Sequence, residues 1–226
     1  MIGGWIIFIV FALISWLISN QLKRRFDEYS KIPTSNMMSG KDVAQKMLRD
    51  HGIYGVTIES VAGKLTDHYN PADKTINLSE EVYNGRSVAA AAVAAHECGH
   101  ALQHVSAYQW LGLRSSLVPA VSFTSKWMQW VLLAGIIFVN SFPEILFAGI
   151  CLFAVTTLFS FITLPVELNA SNRALLWIRS SGVTNSQTQL KAQDALKWAG
   201  YTYIVAALGS LATLLYYIMI FMGRRN

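Results

Sequence analysis

A chain of 226 residues with a net charge of +5 has room for one or two domains, but 53% hydrophobic against 14% charged residues, with a mean hydropathy of +0.37, excludes a simple soluble protein. The positive charge gathers beside apolar runs and no basic-aromatic motif accompanies it, which argues against nucleic acid and for anionic lipid headgroups. Two cysteines, Cys98 and Cys151, give no disulfide framework.

Residues 2–19 carry no charge and approach the roughly 20 residues that cross a bilayer. No basic segment precedes them and no A-x-A-like site follows, so 1–19 reads as an uncleaved transmembrane helix rather than a signal peptide. A polar portion, 20–116, comes next. Its first part, 20–40, reads as a linker ending in the turn-rich Lys31-Ile-Pro-Thr-Ser-Asn. Thr34 or Ser39 then opens a helix over 41–51, with Val43, Met47 and Leu48 on one face and Gly52 at its stop. Residues 56–61 alternate like a strand, Asn70-Pro71-Ala-Asp73 is a strong turn, and 74–79 alternate again. Lys74, Thr75, Ile76, Asn77, Leu78 and Ser79 are the candidate edge strand for pairing with an extended substrate; an ordinary structural hairpin is the alternative.

A helix is expected from near Ser87. It contains Ala89-Ala-Ala-Ala-Val-Ala-Ala-His96-Glu97-Cys98-Gly99-His100. Residues four apart on a helix lie one above the other, so His96 and His100 can turn their imidazoles toward one metal ion. Glu97, one position round, can reach a water on that ion without being a ligand beside them. This is the spacing of zinc hydrolases, where two histidines hold Zn²⁺ and the glutamate is the general base. Short patterns do arise by chance, yet an Ala-rich helix has little structural use for three such residues, each needing a buried partner. Cys98 points away from the metal as an apolar filler. His104 lies roughly 12 Å from His96 along a continuous helix, at about 1.5 Å per residue, too far to share the ion. A metzincin-type break would need glycine at 103 and histidine at 106, where Gln103 and Ser106 stand. His104 is therefore a rim or outer residue.

Further apolar runs at 127–142 and 145–166, split by Pro143-Glu144, read as a transmembrane hairpin over 117–166. A third-ligand helix and a linker helix, 167–197, follow, with the chain broken at Ser180-Ser-Gly182 and the linker helix capped by Ser186. A fourth span with a basic tail occupies 198–226. The fold class is thus mainly α and integral to the membrane, with four transmembrane helices and a small α+β zincin-like catalytic portion. Four spans place 20–116 and 167–197 on one side. Lys23, Arg24, Arg25, Arg114, Arg173, Arg179 and Lys197 flank the spans there, against Arg224 and Arg225 opposite, which makes that side cytoplasmic.

Catalytic zinc usually takes a third protein ligand. Glu167, at the mouth of an apolar span, is a carboxylate that costs energy without a partner; the residues alone leave open whether the partner is a metal or water.

Gly-Lys-Leu-Thr-Asp-His-Tyr-Asn-Pro (63–71), Leu-Ser-Glu-Glu-Val-Tyr-Asn-Gly-Arg-Ser (78–87), Ala-Ala-His-Glu-Cys-Gly-His-Ala-Leu-Gln-His (94–104), Leu-Arg-Ser-Ser-Leu-Val-Pro (113–119) and Leu-Pro-Val-Glu-Leu-Asn-Ala-Ser-Asn-Arg-Ala-Leu (164–175) resemble the YugP-like neutral zinc metallopeptidases, bacterial integral-membrane proteins. The resemblance covers essentially the whole chain. It implies a gluzincin-type site, with His96, His100 and Glu167 as ligands of one Zn²⁺ and Glu97 as base, in a bacterial inner or plasma membrane. Asn169 stands where the family usually has Asp, and its amide oxygen would orient a histidine more weakly than a carboxylate.

The expected function is zinc-dependent endopeptidase, acting on a peptide or membrane-protein substrate, with His68, Tyr69, Tyr83 and Arg173 as the candidates to stabilise an oxyanion. A non-catalytic scaffold with structural zinc is the alternative, and Glu97, which structural zinc does not need, counts against it. A transporter ranks last, because the apolar runs carry almost no ionisable residues. The sequence does not give the oligomeric state.

Overall fold

Among the described residues, 2–223 with side chains from residue 6, a computed structural model shows seven helices and one three-stranded sheet. In chain order these are α1 (Ile2–Tyr29), α2 (Gly40–Asp50), β1 (Thr57–Val61), β2 (His68–Asn70), β3 (Thr75–Ser79), α3 (Glu80–Asn84), α4 (Val88–Val105), α5 (Gln109–Ile137), α6 (Pro143–Ser181) and α7 (Ser186–Gly223). The chain forms two compact units. One comprises Met1–Leu17, Gly112–Pro165 and Thr202–Asn226; the other comprises Ile18–Leu111 and Val166–Tyr201.

The second unit holds the sheet and the His-bearing helix. Ser39 starts α2 by a capping box, its hydroxyl accepting from the Asp42 N–H while the Asp42 carboxylate accepts from the Ser39 N–H. Val43, Ala44, Met47 and Leu48 then form the buried face of α2. Ser87 caps α4 by accepting from the Ala90 N–H, and the small side chains after it are buried against the core. Cys98 belongs to that core, fully buried, as the filler its position implies.

The sheet order is β1-β3-β2, with β1 parallel and β2 antiparallel to β3. This corrects the assignment of Lys74, Thr75, Ile76, Asn77, Leu78 and Ser79 as the substrate edge. β3 is the central strand, paired on both sides, and Ile76 and Leu78 are fully buried in the core. Lys74 stands before the strand with a positive φ of 53°. Alternation along 74–79 identified a strand but not its place in the sheet; β2, only three residues long and lying in a turn-rich stretch, went unseen. The free edges are β1 and β2.

The reading of 20–40 as a linker is also corrected. α1 continues beyond its apolar run to Tyr29, because residues 20–29 contain no helix breaker before Pro33. In the second unit the Tyr29 hydroxyl donates to Asp194 at 2.8 Å and accepts from Arg25 at 3.1 Å, tying the end of α1 to α7. Helix α6 is assigned without a break from Pro143 to Ser181, with Pro165 and Glu167 inside it.

The other unit contains the apolar parts of α1, α6 and α7 together with most of α5. Gly135 of α5 lets the α6 backbone approach so closely that a Cβ there would meet Leu146 Cα at 2.5 Å. Leu132, Leu146 and Ile150 form its core with Tyr217 and Phe221.

Among the described residues three helices, not four, are long and apolar enough to cross a membrane: Ile6–Tyr29, Pro143–Ser181 and Ser186–Gly223. The expected second span falls in α5, where Ser122, Thr124, Ser125, Lys126 and Gln129 dilute the apolar residues. Its uninterrupted run is confined to 130–137, far short of the roughly 20 residues required. Met1 and the basic tail 224–226 lie outside the described residues.

Candidate metal centre

α4 carries His96 and His100 one turn apart, with ring centroids at 4.8 Å and planes at 87°. α6 brings Glu167, 3% exposed, against both. Glu167 Oε2 lies 3.2 Å from His96 Nε2 and 3.5 Å from His100 Nε2, and the three potential ligand atoms all fall within 4.8 Å of one another. A tetrahedron with zinc–ligand bonds of 2.0–2.1 Å has edges of about 3.3 Å, so both carboxylate-to-imidazole distances match such an edge. Two imidazole nitrogens and one carboxylate oxygen are a donor set that zinc takes. The residues fit the ion.

The electrostatics point the same way. Burial by itself lowers the His100 pKa, but the hydrogen bond to Glu167, the charges of Glu97 and Glu167 and the bond to Gln103 together raise it above the ordinary imidazole value. The pocket favours positive charge. Glu97, next to His96 on α4, is 7% exposed, so its carboxylate is also held away from bulk water.

Gly99 explains how α4 and α6 come close enough for these contacts. A Cβ at that position would sit 2.5 Å from the Ala170 carbonyl oxygen, a backbone atom that cannot swing aside. Gly99→Ala should therefore force the helices apart beside both histidines. The expected outcome is loss of most zinc binding in folded protein, measured as metal content after purification in detergent; full zinc occupancy would show that the approach is not needed.

The remaining candidates form separate groups. Tyr69 OH lies 2.7 Å from Nδ1 of the exposed His104, one turn beyond His100. His104 stays on an unbroken helix and does not join the ligand cluster. Burial raises the Tyr69 pKa, keeping the phenol protonated. His68 is occupied with the Thr66 carbonyl and Asn77, and the Tyr83 ring lies beneath Lys41 Nζ at 5.2 Å. Asn169 connects to His100 through Gln103. Its oxygen accepts from Gln103 Nε2 at 3.0 Å and from Arg173 Nε at 2.8 Å. Arg173 in turn lies over the Tyr108 ring.

Gln103 and Ser171 were missed. Gln103 Oε1 lies 3.1 Å from His100 Nδ1, and Ser171 Oγ lies 3.1 Å from His96 Nδ1. Their spacing could have identified them, since Gln103 is three residues after His100 and Ser171 four after Glu167, each on the same helix face.

The model of the family described as "Putative neutral zinc metallopeptidase" matches residues 4–222 of this chain. "Putative membrane protease YugP" of Bacillus subtilis (strain 168) is 41% identical to it over 206 residues, which cover 91% of each chain. No solved structure matches the chain.

Proposed function

The chain belongs to the neutral zinc metallopeptidase family, and from that premise we propose that it is a membrane-bound endopeptidase with Zn²⁺ held by His96, His100 and Glu167. The observation that carries this reading is the convergence of buried His100 and Glu167 with half-buried His96 beside Glu97, on a helix whose spacing suits metal-assisted hydrolysis. When bound, zinc supplies Lewis acidity and lowers the pKa of water. Glu97 takes a proton from the attacking water onto its carboxylate and returns it to the leaving amine. The Tyr69 hydroxyl, beside His104, is the best placed of the candidate groups to donate to an oxyanion. With β3 enclosed, β2 is the edge on the His104 side and the one offered to an extended substrate.

Glu167 stands one residue beyond the apolar stretch 145–166 of the same helix. That position favours segments within or emerging from a membrane over freely diffusing proteins. A location in the bacterial plasma membrane with the site on the cytoplasmic side fits the basic residues Lys23, Arg24, Arg25, Arg173, Arg179 and Lys197, all in the unit that carries the site, and it requires α5 to pair with α6 as the other arm of a hairpin across the bilayer despite its polar residues. Cysteines introduced at the exposed positions Tyr54 and Asn185, in a Cys151→Ala background, should react with an impermeant reagent only after cells are permeabilised. Reaction in intact cells would reverse the orientation.

Metal analysis of detergent-purified protein beside cleavage of casein or peptides tests the activity. One zinc per chain, loss of cleavage on chelation and recovery on zinc addition are expected. Zinc without cleavage across a broad substrate set would instead indicate a scaffold.

A further inference from the structure

Which nitrogen of His100 carries the proton is dictated by groups that have only one hydrogen-bonding role. Arg173 only donates, so the Asn169 atom 2.8 Å from its Nε is the amide oxygen. Gln103 Nε2 donates to that same oxygen at 3.0 Å and to the Val166 carbonyl, which only accepts, at 2.7 Å. The Gln103 amide is thereby turned with its nitrogen toward α6 and its oxygen, 3.1 Å from His100 Nδ1, toward the ring. An amide oxygen only accepts, so Nδ1 holds the proton. In the neutral ring, Nε2 is left with a lone pair facing Glu167 Oε2 at 3.5 Å. Two electron-rich atoms set face to face are at rest when a cation lies between them.

His96 has no such constraint. Its Nδ1 meets the Ser171 hydroxyl, which donates or accepts. Gln103 is fully buried, so solvent does not replace it.

We propose that Gln103, itself oriented by Asn169 and Arg173, is a positioning residue that locks His100 in the Nδ1–H tautomer and thereby makes Nε2 its metal-binding atom. This rests on the zinc-site reading above. It assigns Arg173 to the support of a ligand, two hydrogen bonds removed from it. It also gives Asn169 a use for its oxygen alone.

The full-length protein in detergent, labelled with ¹⁵N-histidine, allows the test. In zinc-free protein at a pH where His100 is neutral, the wild type should show the Nδ1–H tautomer by NMR. Gln103→Met should move the proton to Nε2, where Glu167 accepts it. In chelator competition, Gln103→Met should bind zinc about 10–100-fold more weakly, the usual cost of losing an outer partner of a ligand. Arg173→Met should show a smaller loss in the same direction. A wild-type Nε2–H tautomer overturns the proposal and needs no variant to be folded. So does a Gln103→Met protein with unchanged zinc affinity. Wild-type protein that binds no zinc at all would instead overturn the zinc-site reading itself.

Discussion

Glu97→Gln should keep one zinc per chain and lose peptide cleavage by about 10³-fold in kcat/KM, roughly 4 kcal/mol of transition-state stabilisation. The substitution is nearly isosteric and falls on a buried position of α4, so the helix and the flanking histidines keep their places. What disappears is the ability to accept a proton, because an amide does not titrate where a carboxylate does. A positioned general base contributes on the order of 10²–10⁴ to rate, and in a buried pocket no bulk water takes over its role. Zinc content and peptide cleavage measured on one preparation separate the possible results. Zinc retained with cleavage lost is the expected pair. Unchanged cleavage sinks the assignment of Glu97 as base, and loss of both assigns it to the integrity of the site.

The motif His96-Glu97-Cys98-Gly99-His100 was legible because helical periodicity and ligand chemistry coincide over five residues. The helix start at Ser87, the capped α2 with its buried Val43, Met47 and Leu48, and the strand over 74–79 were legible for the same reason: each is a local pattern. What local patterns do not carry is the identity of neighbours. The central place of β3 depends on β2, three residues whose pairing with Thr75, Ile76 and Asn77 is decided across the sheet. Ser171 reaches His96 only when Gly99 lets α4 and α6 meet, and Gln103, though beside His100 on α4, has its amide turned by its partners Val166 and Asn169 on α6. The count of spans failed for a different reason. A hairpin pattern with Pro143 at its turn is correctly a helix pair, but the polar residues of α5 weaken the argument that both arms have membrane-spanning composition.

Glu167→Ala should lose zinc outright and with it the dependence of thermal stability on zinc. In the wild type, ligand binding to the folded state adds stability by mass action, about 2.7 kcal/mol when free zinc is 100 times its dissociation constant. The melting temperature should therefore climb with zinc until the protein's own limit is reached. Removing one of three ligands costs more than the roughly 10–100-fold that an outer partner costs, so the variant should melt at one temperature with or without added metal. Glu167→Gln distinguishes ligand loss from packing loss. It refills the buried volume, and it should resemble Glu167→Ala in zinc response because a neutral amide is a poor substitute for a carboxylate on this ion. His104→Ala should keep the metal and the zinc-dependent rise, since α4 is unbroken to Val105 and the His104 ring is committed to Tyr69. Normal zinc binding by Glu167→Ala together with its loss in His104→Ala would mean that α4 breaks after His100 when the ion binds.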